Sequence, residues 1–328
     1  MLCDIGFRPS GLETMLSTLA ATSSRECMLA AIRQRLLDRG TTLREAILQR
    51  RLYFRISLAG ACNLACSFCH NEGAPARGRM QFAFAVQAIR AAKEVGFSRI
   101  QFTGGEPLLH PQIAAFVSAA RQVTDDVGVT TNGTFLPSVL DCLIRARISR
   151  VHISLQTESL ENAGSRGSWG IPDWLEPALR FANEGCYQLR LNLPVPASSL
   201  RMAEHFLDLL IPFGCDVQAF SILPEGTTAR ERYPVADLEA MVSRANQRRS
   251  GQTLARVSLR GFRPPTGIRC RRCAEFERCK EQSHSLRLGA DGILRPCLAT
   301  RMWDGMLCED AMQADITEAA ALALDYTW

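Results

Sequence analysis

The spacing Cys62-Asn63-Leu64-Ala65-Cys66-Ser67-Phe68-Cys69, three cysteines as C-x3-C-x2-C, sets the tightest limit on what this chain can become. It follows directly on Tyr53-Phe54-Arg55-Ile56-Ser57-Leu58, where β-branched and aromatic residues alternate with polar ones. That alternation predicts a strand ending in a loop. Three thiolates on one short loop can each hold one iron of a [4Fe–4S] cluster, because soft sulfur ligands suit iron–sulfur chemistry. A complete cage needs four ligands. The missing fourth leaves one iron open to a small molecule, as in catalytic metal sites generally. On spacing alone, a zinc loop or a set of buried structural thiols stays open as an alternative.

A second motif decides between them. A helix-like segment, Phe82 to Val95, leads to Arg99-Ile100-Gln101-Phe102 and then Thr103-Gly104-Gly105-Glu106-Pro107. This reads as another strand ending in a glycine-rich turn with a carboxylate at its tip. Together, the C-x3-C-x-aromatic-C loop and the Gly-Gly-Glu turn resemble the radical S-adenosylmethionine (SAM) superfamily. The resemblance implies a [4Fe–4S] cluster on Cys62, Cys66 and Cys69 whose open iron chelates SAM. It places Gly104 and Gly105 against the methionine amino group, Glu106 as a holder of that group, and Phe68 near the adenine. It also implies reductive cleavage of SAM to a 5′-deoxyadenosyl radical, with Cys62, Cys66, Cys69 and Glu106 as the catalytic set.

From Tyr53 onward the pattern strand, loop, helix repeats. Strand-like runs at Val127–Thr130, Val151–Gln156, Leu189–Leu193 and Val217–Ile222 follow the first two, with helix-like segments between them. Six strands alternating with helices indicate parallel β/α architecture, with functional residues at the C-terminal ends of the strands. This matches the superfamily's partial (β/α)6 TIM-type barrel. The expected division is an N-terminal helical extension over 1–50, the barrel over 51–225 and a small auxiliary-cluster domain over 226–328. Within the extension, Thr42 and Glu45 read as a capping box. Asn132, Ser154, Gln156 and Asn192 close apolar runs, where they can bond SAM or substrate; the resemblance favours Ser154 and Asn192 for SAM. The alternative is that they satisfy local backbone groups. His152, inside a strand, reads as a core histidine. Cys142, Cys186 and Cys215 read as packing residues.

A second cysteine group, Cys270, Cys273, Cys279 and Cys297, surrounds a hairpin-like stretch with Asp291-Gly292 at its turn. Spaced C-x2-C-x5-C-x17-C, four thiolates can enclose a second [4Fe–4S] cluster or a zinc ion. The region resembles the twitch/SPASM-like auxiliary domains, and the chain from about 50 to 300 is similar to the GTP 3′,8-cyclase-like enzymes. Two departures separate it from the cyclase itself. A longer stretch, 23 residues, lies between Cys273 and Cys297 and carries Cys279, and the chain ends Asp325-Tyr326-Thr327-Trp328 in place of a Gly-Gly tail. Cys308 is a reserve ligand or a lone thiol.

Composition bounds the setting. A length of 328 residues with 47% apolar content supports one large domain and an appendage. Thirteen cysteines, no basic start followed by an apolar stretch, and no run of 18 apolar residues predict a cytoplasmic protein with reduced, metal-ligating thiols and no membrane span. The net charge of +5 does not by itself call for a nucleic-acid polymer, and none is expected. Arg260, Arg263, Arg269, Arg271, Arg272, Arg278, Arg287 and Arg295 crowd the C-terminal region. Arginine suits bidentate phosphate binding, so the expected substrate is a small anionic, nucleotide-like molecule; a solvated basic face is the alternative. The expected partner is an external electron donor of flavodoxin or ferredoxin type. A peptide-maturing radical SAM enzyme is the second reading and a non-catalytic iron–sulfur or zinc protein the third.

Overall fold

The computed structural model describes residues 30–66, 78–164, 169–221, 235–249, 256–259, 285–295, 306–307 and 312–325. Phe68, Cys69, His70, Cys270, Cys273, Cys279, Cys297 and Cys308 lie outside them.

Two helices come first, α1 (30–38) and α2 (Leu43–Arg50). The capping box that starts α2 is present: Thr42 Oγ1 accepts from the Glu45 amide at 3.2 Å, and the Thr42 amide donates to the Glu45 carboxylate at 2.8 Å. Strand β1 (Tyr53–Ser57) follows, then α3 (Phe82–Val95) and β2 (Arg99–Thr103). In α3 the buried residues Ala85, Ala88, Ile89, Ala92 and Val95 form one stripe at helical spacing, and Gly96 ends the helix at φ +123°. The alternation continues through α4 (Ile113–Arg121), β3 (Asp126–Thr131), α5 (Leu136–Arg145) and β4 (Arg150–Ser154). Between β4 and β5 (Gln188–Val195) stand two helices, α6 (Thr157–Ala163) and α7 (Glu176–Asn183), where the sequence pattern suggested one. Then come α8 (Leu200–Leu209), β6 (Asp216–Ser221), α9 (Val235–Arg248) and β7 (Val257–Leu259). Three short strands, β8 (Ser285–Leu288), β9 (Ile293–Arg295) and β10 (Met306–Leu307), and helix α10 (Met312–Asp325) complete the described chain.

All ten strands form one sheet in the order β10-β9-β8-β1-β2-β3-β4-β5-β6-β7. From β8 to β7 every neighbouring pair is parallel; β9 and β10 are antiparallel additions. Among the described residues the sheet is open, since its edge strands β10 and β7 do not pair with each other. This is the mostly parallel α/β partial barrel that the alternation predicted. The hairpin read from Asp291-Gly292 forms, and β8 lies against β1 with Tyr53 opposite Ser285 and Arg55 opposite Arg287. Helix α10 packs on α3 and α2.

Each strand presents two faces. Phe54, Ile56, Ile100, Phe102, Val151 and Ile153 are fully buried on the helix side. Tyr53, Arg55, Ser57, Arg99, Gln101, Thr103, Arg150, His152 and Ser154 alternate with them and face the concavity. Two of the three thiols expected to pack do not. Cys142 and Cys186 are exposed, the first on the outer side of α5 and the second in the turn before β5; Cys215 is buried. Burial pushes the Cys215 thiol up to about 12, which makes it a packing group.

Candidate cofactor and substrate site

The parallel order brings the ends of β1 to β5 to one rim. The loop that leaves β1 is closed at its base by backbone pairing: the Gly60 amide donates to Gly78 O at 3.0 Å and the Met80 amide to Leu58 O at 2.9 Å. Cys62 and Cys66 stand on this loop, Cys62 exposed and Cys66 half-buried. The turn after β2 locks onto the same loop. The Gly105 amide donates to Ala59 O at 2.6 Å and the Glu106 amide to Ala61 O at 2.9 Å. That contact explains both glycines. A Cβ on Gly104 would lie 2.4 Å from Ala59 O, and one on Gly105 2.2 Å from Ala61 O. Gly104 also holds φ at +149°. The pair is thus required by the approach of two loop backbones.

Glu106 is buried, not presented at the tip of its turn as the sequence suggested. Its carboxylate accepts from Thr131 Oγ1 at 2.6 Å, from the Asn132 amide at 2.8 Å and from the Leu108 amide at 2.9 Å. Burial pushes this carboxyl above the ordinary range, while the three donors pull it back. Glu106 therefore ties the end of β2 to the end of β3.

Beyond that tie, two carboxamides reach the cysteines. Asn132 Nδ2 donates to Cys62 Sγ at 3.7 Å and to Asn63 Oδ1 at 2.9 Å; its own Oδ1 accepts from Thr134 Oγ1 at 2.7 Å. Cys66 Sγ contacts Gln156 Oε1 at 3.2 Å. A thiolate in that place would turn the amide to offer its NH2 group. Ser154 and Asn192 sit opposite each other on β4 and β5, with Asn192 Nδ2 donating to Ser154 Oγ at 3.4 Å. Of the expected residues, Cys62, Cys66, Gly104, Gly105, Glu106, Ser154 and Asn192 thus gather on one rim with Asn132 and Gln156.

Below the rim, the concave face is basic. Register places Arg287, Arg55, Gln101, Gly128 and Arg150 in one row across β8, β1, β2, β3 and β4. The next row carries Ser57, Thr103, His152, Arg190 and Asp216. Arg150 donates to Gln101 Oε1 at 2.9 Å across Gly128, where a Cβ would lie 2.4 Å from that oxygen. Asp126 accepts from Arg99 at 2.8 Å and from Arg150. The Arg99 guanidinium covers the Tyr53 ring at 3.9 Å. Arg190 has no hydrogen-bond or ion-pair partner among the described residues.

The sequence reading missed these arginines and placed the basic site in the C-terminal region. Of the arginines it singled out there, Arg287 joins the inner face and Arg295 is held by Asp291 at 2.6 Å; the others lie outside the described residues. The missed signal was the basic or amide residue at alternate strand positions, as in Arg99-Ile100-Gln101 and Arg150-Val151-His152.

Comparison with known proteins agrees with this geometry. The family model described as the radical SAM superfamily matches residues 56–182. A GTP 3′,8-cyclase of Chlorobaculum tepidum is 40% identical over 108 residues, which span 32% of this chain and only 33% of that one. A probable GTP 3′,8-cyclase of Pyrococcus horikoshii is 27% identical over 287 residues, covering 80% of this chain and 90% of the relative. The fold is shared with Streptococcus suis SuiB bound to precursor peptide SuiA, at a TM-score of 0.62 and 17% identity, over 86% of this chain and 68% of that one. The chain carries a radical SAM domain and is a radical SAM enzyme. That family implies a [4Fe–4S] cluster and SAM. The residues fit the group: two soft donors on one clamped loop, each flanked by a carboxamide.

Proposed function

We propose that this enzyme takes a small anionic, nucleotide-like substrate into the concavity and removes a hydrogen atom from it. The observation that carries this reading is the guanidinium-lined inner face, Arg55, Arg99, Arg150, Arg190 and Arg287, with Asp126 and Asp216 as the carboxylates on the strands facing it. Planar guanidinium groups suit phosphate oxygens. A [4Fe–4S] cluster on Cys62, Cys66 and Cys69, supplied with an electron by a flavodoxin- or ferredoxin-type donor, would generate the 5′-deoxyadenosyl radical from SAM. Glu106 would fix the rim against which SAM lies, with Phe68 near its adenine, and Ser154 and Asn192 would bond its polar groups. Cys270, Cys273, Cys279 and Cys297 would hold a second [4Fe–4S] cluster within the unit 226–328. A cytoplasmic location suits these oxygen-sensitive groups, and no helix among the described residues is long and apolar enough to cross a membrane.

The test is a binding and turnover screen on the anaerobically reconstituted enzyme, comparing guanosine with GTP. The expected result is tight binding of the triphosphate and 5′-deoxyadenosine formation that depends on it. Arg190→Ala should weaken triphosphate binding about tenfold or more, as the loss of one charge-assisted hydrogen bond does. Equal binding of guanosine and GTP, or turnover stimulated by a peptide alone, would overturn the reading.

A further inference from the structure

His152 occupies an unusual place on this inner face. On its own strand it is two positions from Arg150, so both side chains point into the concavity. Its partner in register on β5 is Arg190 and on β3 is Thr130. The guanidinium groups of Arg55 on β1 and Arg99 on β2 also act on it, and Arg287 on β8 stands beside Arg55. The carboxylates of the neighbouring strands are already engaged: Asp126 is held by Arg99 and Arg150, and Asp216 accepts from the Arg256 amide. Tyr53 lies under Arg99. His152 as a residue is half-buried. With no anion present, burial first and then the four arginines hold His152 neutral, far below the ordinary histidine range.

An anion changes that balance. Once negative oxygens lie against Arg190, the register partner of His152, the charge that repels a proton from His152 is offset, and the nearest new acceptor is the anion itself. We propose that His152 is a substrate-contacting residue that takes up one proton from solvent when an anionic group enters the arginine-lined face, and donates it as a hydrogen bond to that group. The inference rests on the anionic-substrate reading and adds to it a coupling between binding and protonation. Binding then favours the protonated state, so affinity rises as pH falls. Only the proton moves; no bond of the substrate is made or broken in the step.

Inorganic pyrophosphate serves as the probe, titrated calorimetrically into the cluster-loaded enzyme with SAM present. Two buffers of different ionisation enthalpy count the protons bound near pH 6.5. Wild type should take up close to one proton more than His152→Asn or His152→Gln. Between pH 6 and 8 its affinity should also fall more steeply, by up to about tenfold per pH unit. The probe's own ionisation is common to all three proteins and cancels. In the unaltered protein, 15N imidazole spectra of its five histidines should show one of them pass from neutral to protonated as pyrophosphate saturates the site. Binding without that uptake, or uptake that persists in both variants, overturns the role of His152 and leaves the anion site standing. No binding of pyrophosphate, or binding indifferent to Arg55→Ala and Arg190→Ala, overturns both.

Discussion

At the scale of single residues, Glu106 shows how a catalytic-looking carboxylate can serve the scaffold. Burial raises its ionisation above 4.5, so the protonated form is favoured in the fold relative to the unfolded chain. The stability it contributes is fully present below about pH 4.5 and is lost as pH rises through the folded-state value. Glu106→Gln cannot titrate and should lack that slope in denaturation measured from pH 4.5 upward. Thr131→Val removes one of the donors that pull the carboxyl back and also strips the Gly133 amide of its acceptor. It should cost about 1–3 kcal/mol and steepen the loss with pH. A stability profile of Thr131→Val parallel to wild type would remove Thr131 from this account.

At the scale of elements, the loops after β1 and β2 behave as one unit joined by backbone. Gly105→Ala forces a Cβ onto Ala61 O, and because both parties are backbone the strain has no flexible side chain to absorb it. The variant should bind markedly less iron on reconstitution, with its far-ultraviolet circular dichroism unchanged. Gly128→Ala meets side chains of Gln101 and Arg150 and should keep its iron. Equal iron in Gly105→Ala and wild type would sink the idea that the loop contact shapes the site. These loops also mark what the sequence could reveal. Cys62, Cys66 and Gly-Gly-Glu were legible because each is a contiguous signal at the end of an alternating run. The bonds of Glu106 to Thr131 and Asn132 were not, since they depend on how β2 and β3 align, a long-range fact with no local trace. The arginine face was hidden for the same reason: its members come one per strand, from β8, β1, β2, β4 and β5, and meet only through the register of the sheet. His152 was read as a core histidine because a single strand does not disclose its neighbours.

At the scale of the whole molecule, the C-terminal strands enlarge the barrel's own sheet, and α10 covers α3. Ile316, Ala319 and Ala320 on that helix are 0–1% exposed, so its apolar side is part of the main core. Ile316→Ala should therefore lower the stability of the entire fold, by about 2–4 kcal/mol, in a single transition shared by probes of the barrel and the C-terminal region. Two separated transitions would show instead that the C-terminal unit unfolds on its own.

The pairing of β8 with β1 also has a consequence for how the protein is made. Ser285 comes 228 positions after Ser57, yet the two strands are neighbours in the sheet. A ribosome adding about 5–20 residues per second needs roughly 10–45 s to cover that distance. Throughout this interval the outer edge of the first strand has no partner, and an unpaired strand edge is a surface on which nascent chains associate wrongly. The cysteines that hang from that strand leave the exit tunnel long before the strand beside them has been synthesised.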